Sequence, residues 1–261
     1  MQVMGIGRVI FWAGGSLWIG QSFAPVESHS HHAVQIAIGL NDRVQFRMSD
    51  AGPWDTFEAA FIPADVVHMF QAPGRMVAHL FCEPESALGR SLIARFGRCQ
   101  IVGVPSAEIA QYASALHSAF EHGAADEELE EMALDTLYAL SGSVSVSSVD
   151  PRIPRATEFI AARLSGPLSL ADVARHVGLS PGRFRHIFVE ETGISFRAFV
   201  LWARLNRALE LGFGGTSWTD AAYATSFADS AHLSRTMRRM YGLAPSSVRQ
   251  DVPAALRPMT A

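Results

Sequence analysis

From Arg8 to about Phe81 the apolar residues come in short runs: VIFWAGG, SLWIGQSF, HAVQIAIGL, VQFRM, TFEAAFIP, HMFQAP and MVAHLF. Gly, Pro, Asn and Asp separate them. The alternation within VQIAIGL, together with that punctuation, predicts a compact all-β unit, a sandwich or barrel. After Pro84 the period changes. ESALGRSLIARFG, SAEIAQYASALHSAFEHG and DEELEEMALDTLYALSG carry apolar residues at spacings of three and four, which predicts three amphipathic helices. The last two form a hairpin across the turn His122–Ala125. SGSVSVSSVDP, Ser141 to Pro151, is polar and without helical period and reads as a linker.

Beyond the linker one helix-turn-helix pattern occurs twice, from Leu170 to Gly193 and from Trp218 to Gly242. In each copy a short helix with a small central residue, Ala174 or Ala222, meets a tight turn and a longer helix follows. Ser180 and Pro181 are a strong start for the first long helix, a capping hydroxyl and a proline at the first helical position. Phe184, Ile187 and Phe188 form its buried stripe, leaving Gly182, Arg183, Arg185 and His186 to face a groove. In the second copy Asp229 is the expected cap, with Leu233 and Met237 buried. Ser230, Ala231, Ser234 and Arg235 then face outward, and Arg238 and Arg239, farther along, suit phosphates. SFRAFVLWARLNRALELG between the copies reads as one helix of about 17 residues, roughly 25 Å long. Such a spacer would hold the two long helices near the ~34 Å repeat of a DNA major groove.

Charge sharpens the division. The 261 residues suffice for two domains, and 49% hydrophobic with 18% charged residues is the composition of a folded chain. Residues 1–149 hold 7 Arg against 16 acidic residues, whereas residues 150–261 hold 14 Arg against 9. A polyanionic partner is therefore expected for the C-terminal part only. The cysteines, Cys82 and Cys99, are too few for a disulfide scaffold. The apolar run Val9 to Gly20 is too short to span a bilayer. It imitates a signal-peptide core behind Arg8, yet two early strands are the better reading, with no membrane partner and a cytoplasmic location expected.

SHSHHAVQ is the chemically loudest segment of the first half. On an extended strand His29, His31 and Gln35 point to one face, and His32 to the other with Val34, Ile36 and Ile38. FIPADVVHMF supplies His68, while His79 and Cys82 sit at odd spacing on the next strand and cannot share its face. His-x-His, an amide four residues later and a histidine beyond a tight turn resemble the two cupin β-barrel motifs, over about residues 15–83. Gln35 stands for the usual Glu, and Asp65 for the usual Gly. The resemblance implies imidazoles converging inside a barrel on a divalent metal such as Zn, Fe, Ni or Cu, or on an organic effector. Histidines with a purely structural role are the third alternative.

Residues 151–250 resemble the DNA-binding domain of AraC/XylS-type transcription regulators. Gly178, Phe188, Gly193, Phe227, Leu233, Arg235, Gly242 and Pro245 carry the match. One departure is Ser226, where glycine is usual; a serine at positive φ costs about 1 kcal/mol. The resemblance implies a two-domain α+β chain. Residues 1–142 would be a cupin-like β-barrel with a helical hairpin, 143–150 a linker, and 151–261 an all-α domain with two helix-turn-helix units joined by a long helix. Expected partners are double-stranded promoter DNA, a small-molecule or metal effector, a second copy of the chain through the helices of residues 106–141, and RNA polymerase if the chain activates. The first unit, with two arginines against one, is expected to supply more of the sequence discrimination. A metal-dependent enzyme would need an acid/base or redox set beside His29, His31 and His68, and the sequence offers none. An architectural DNA-binding protein would have no use for a histidine-rich β domain.

Overall fold

In the computed structural model, which describes residues 3–142 and 149–250, the alternating runs become two β-sheets. The two expected early strands, β1 (Gly5–Trp12) and β2 (Gly15–Ser22), pair with each other, and β2 then pairs with β9 (Arg75–Cys82). β9 continues to β4 (Val34–Gly39), β7 (Ala59–Ile62) and the short β10 (Val102–Gly103). A second sheet runs β3 (Val26–His29), β8 (His68–Gln71), β5 (Val44–Arg47), β6 (Asp55–Phe57). Leu17, Ile19, Ile36, Ile38, Phe61 and Leu80 fill the core with essentially no exposure.

Three helices follow as the period predicts: α1 (Ala87–Phe96), α2 (Ser106–Glu121) and α3 (Asp126–Ser141). Leu92, Ile109, Leu116, Leu129 and Leu137 pack into the same core as the larger sheet. Arg8 on β1, only 5% exposed, ties the hairpin down. Its guanidinium donates to the Asp126 carboxylate at the start of α3 and to the Ala124 carbonyl in the turn before it.

The expected linker falls largely on residues 143–148, which lie outside the described residues. The helical part contains α4 (Arg152–Ala161), α5 (Leu170–His176), α6 (Pro181–Thr192), α7 (Phe196–Phe213), α8 (Trp218–Ala224) and α9 (Ser230–Tyr241). Ser169, Ser180, Ser195 and Ser217 each cap a helix through the side-chain oxygen, satisfying an amide that would otherwise be orphaned. Ile153, Ile160, Val173, Phe184, Phe188 and Phe199 form the core of the first helix-turn-helix unit.

The described residues form two compact units, 3–142 with 238–250, and 149–237. The boundary expected at residue 151 is thus corrected at the far end, because the last stretch belongs with the β unit. A 3-10 turn at Pro245–Ser247 leads into strand β11 (Val248–Gln250), which pairs in parallel with β1, Gly5 opposite Val248. Two sheets with appended helices, then a helical region with paired helix-turn-helix units, are the predicted class.

Candidate functional site

The antiparallel register of β3 and β8 sets His29 opposite His68. His31 lies in the bend between β3 and β4, held where the Asp65 amide donates to its carbonyl at 2.8 Å. Asp65 has φ of 62°, so the position where glycine is usual does need the left-handed conformation. The ring centroids stand 4.2 Å (His29–His68), 5.1 Å (His31–His68) and 5.8 Å (His29–His31) apart. One ring nitrogen from each lies within 4.8 Å of the others, and all three residues are buried.

Backbone carbonyls fix the tautomers. Nδ1 of His29, His31 and His68 faces the carbonyls of Glu27, Ala33 and Val66 at 2.7, 2.9 and 2.9 Å. A proton on each Nδ1 leaves the lone pair on Nε2, the arrangement that orients histidines for metal ligation, and on His31 an ion would have to take that lone pair from Gln35. Burial keeps the rings neutral. Desolvation, aided by the other imidazoles, lowers the pKa of His29 to about 3 and that of His68 well below its usual value; burial also lowers His31. The single extended strand expected for residues 29–35 is broken, β3 ending at His29 and β4 beginning at Val34, yet Gln35 still meets the cluster, its carboxamide bridging His31 Nε2 at 2.9 Å and His79 Nδ1 at 2.8 Å. With His31 neutral and its Nδ1 proton on Ala33, the amide must present its NH2 to His31 and its oxygen to an Nδ1–H of His79.

His79 is the residue that the sequence reading left out. Its parity on β9 differs from that of Cys82, which joins the apolar core, but β9 lies beside β4 with Ala37 opposite His79. That register sends His79 inward, diagonal to Gln35, and burial lowers its pKa to about 4. His32 is placed on the opposite side as predicted. There it sits 3.2 Å from Glu85 and 3.5 Å from Asp65. Burial works against its charge, yet the two carboxylates prevail and raise it to about 9.

His29, His68 and His79 line a pocket of about 120 Å³, together with Trp18, Val26, Phe70, Val77, Phe81 and Tyr241. Tyr241 stacks on Trp18 with centroids 5.0 Å apart and meets Phe81 edge-on at 5.6 Å. Gly242 follows with φ of 71°, so close to β3 that a Cβ would stand 2.4 Å from Val26, 2.6 Å from the Glu27 carbonyl and 2.7 Å from His29 Nδ1. Leu243 and Val248 complete that wall. For scale, a dry cavity of ~150 Å³ accepts benzene.

On α6 the residues 182, 185, 186 and 189 fall on one line at 100° per residue. Gly182, Arg185, His186 and Val189 are all exposed, while Phe184, Ile187 and Phe188 are buried as predicted. Arg183 stands on the flank of that line. It adds to the pull on the Asp150 carboxyl, which hydrogen bonds from Arg152 hold at about 2. On α9 the corresponding line is Ala231, Ser234, Arg235 and Arg238, with Ser230 and Arg239 to its sides. Asp229 accepts from the His232 amide at 2.6 Å, the predicted cap. Ser226 has φ of 59°, the strain expected where glycine is usual.

A family model described as a helix-turn-helix domain matches residues 173–251, from α5 through α9 to β11. The matched residues form a helix-turn-helix domain. The chain is similar to the regulatory protein PocR of Salmonella typhimurium, 34% identical over 105 residues. The match spans 40% of this chain and about a third, 34%, of PocR. Solved structures of ToxT from Vibrio cholerae share the fold over both the β-rich and the helix-turn-helix parts. One has a TM-score of 0.58 at 11% identity, covering 89% of this chain and 95% of that one. Another, described as wild-type ToxT with unsaturated fatty acid bound, has a TM-score of 0.56 at 11% identity, covering 91% and 94%. Among the described residues no helix is long and apolar enough to cross a membrane.

Proposed function

We propose that this chain is a sequence-specific DNA-binding transcription regulator whose activity is set by a ligand in the β unit. The observation that carries the reading is the pair of capped long helices, each presenting a line of exposed side chains opposite a buried apolar stripe, within the helix-turn-helix domain. Arg185 and Arg235 are the expected base readers, since a guanidinium fork pairs with guanine O6 and N7. Arg239, to the side, suits a phosphate. The chain acts in the cytoplasm, without enzymatic turnover and as a homodimer through α2 and α3. Footprinting of the full chain on genomic DNA tests this: discrete protection that vanishes in the Arg185→Ala/Arg235→Ala double variant is expected, and unselective coating of DNA refutes it.

The three converging imidazoles favour a divalent transition ion, Zn, Fe, Ni or Cu, as the effector. Their Nδ1–carbonyl hydrogen bonds supply the outer support that such a site needs. An ion held there supplies a positive charge that ties β3, the β3–β4 bend and β8 to one point. Metal analysis of the purified protein should give one equivalent, abolished in both His29→Ala and His68→Ala. Unchanged metal content in both variants refutes the metal. The second reading, an uncharged ring-sized organic effector, rests on the apolar walls and the volume of the pocket. Its sign is a small molecule retained by the native protein and detected by mass spectrometry.

A further inference from the structure

We infer that Val189 is a base-reading residue of the first helix-turn-helix unit, contacting the 5-methyl group of a thymine in the major groove. The inference rests on the DNA-binding reading above and adds a position that the sequence left out.

Val189 is a large apolar side chain, 40% exposed, on a face otherwise occupied by glycine, arginine and histidine. The core of the unit does not use it: Phe184, Ile187 and Phe188 fill that core from the opposite side of α6, and Val189 is not among the side chains packed against it. A single exposed valine on an arbitrary surface needs no explanation. This one is the fourth member of an i, i+3, i+4, i+7 line. That is the spacing at which a helix lying lengthwise in the major groove reads bases, as homeodomains do. The corresponding place on α9 holds Arg238, so the two units present a methyl-seeking and a charge-bearing group at one geometric position.

Gly182 reinforces the point. Nothing lies within 4 Å of a Cβ built there, so the fold does not require a glycine. A bare backbone at the start of α6 lets the helix approach the bases closely, which brings the side chains one and two turns later within reach. Seven residues at 1.5 Å each carry the line about 10 Å, or three base pairs at ~3.4 Å. Arg185 and Val189, about 6 Å apart along the axis, would therefore read positions about two base pairs apart. An aliphatic side chain meets the thymine methyl group through dispersion and exclusion of water, and it offers no hydrogen bond to any other base edge.

The test uses the full chain and a site selected from random duplexes. Each thymine is replaced in turn by uracil, which lacks only the methyl group, and binding is measured by fluorescence anisotropy. One thymine about two base pairs from the guanine read by Arg185 should show a loss of about fourfold, the equivalent of ~0.8 kcal/mol for one buried methyl group. Val189→Ala should bind the thymine and uracil duplexes alike, and Val189→Thr, which keeps a methyl group, should restore part of the difference. Uracil insensitivity throughout, or equal sensitivity in Val189→Ala, overturns the inference while leaving the regulator reading intact. Failure to select any site overturns both.

Discussion

Gly193 and Gly242 occupy the same place in the two helix-turn-helix units, the left-handed residue after the long helix, with φ of 81° and 71°. Their surroundings differ entirely. Around Gly193 a Cβ would meet nothing within 4 Å, whereas at Gly242 it would collide with Val26, the Glu27 carbonyl and His29. Alanine at either position costs ~1–2 kcal/mol for the left-handed backbone. The stiffer unfolded chain returns ~0.4–1 kcal/mol of that. Gly193→Ala should therefore destabilise by about 1 kcal/mol. At Gly242 two of the three collisions are with the Glu27 carbonyl and with a ring nitrogen hydrogen-bonded to it, neither the tip of a flexible chain. Overpacking of that kind adds ~1–3 kcal/mol. For a chain of this size each kcal/mol lowers the melting temperature by roughly 2–4 °C. Gly242→Ala should melt about 2–12 °C below Gly193→Ala by scanning calorimetry or tryptophan fluorescence. Because the collision reaches His29, it should also lose stoichiometric metal or retained ligand, which Gly193→Ala should keep. Equal melting temperatures, or normal ligand content in Gly242→Ala, would refute the packing of residues 241–243 against β3.

Two further outcomes follow from the helical region. Ser226→Gly relieves the strain at φ 59° but adds unfolded-chain entropy, so a net gain of about 0.5 kcal/mol is expected in urea denaturation; a loss of stability would show that the serine side chain has a role of its own. Arg239→Ala should weaken binding alike on all sequences and reduce the salt slope by about 1, whereas Arg185→Ala should lower the ratio of specific to nonspecific binding at an unchanged slope. Titrations at several salt concentrations separate the two, and exchanged behaviour would reverse the assignments.

Most of the architecture was written locally. Serine and aspartate caps, the Pro181 start and the apolar stripe of α6 are short-range signals, and the structure keeps each of them. His29, His31, Gln35 and His68 were legible through their likeness to the cupin motifs, although the single strand expected from His29 to Gln35 is two, β3 and β4, separated by the bend that carries His31. His79 was not, since its direction depends on which strand lies beside β9, a matter of register across more than 40 residues. Tyr241 and β11 were hidden for the same reason in stronger form. A three-residue strand pairing in parallel with the other end of the chain has no periodicity to announce it. Val189 escaped because a periodic apolar residue normally signals burial, and only the exposure of the folded helix tells the two apart.

The return of residues 238–250 to the β unit bears on how such a chain can be cut and recombined. A fragment ending at the linker would leave β1 with an unpaired edge, open to pairing with other molecules, and a ligand pocket missing one wall. A fragment beginning there would carry Tyr241 and β11 away from the residues that bury them. A chimera exchanging β units between chains of this build should therefore be spliced twice, so that β1 and the last dozen described residues come from the same parent.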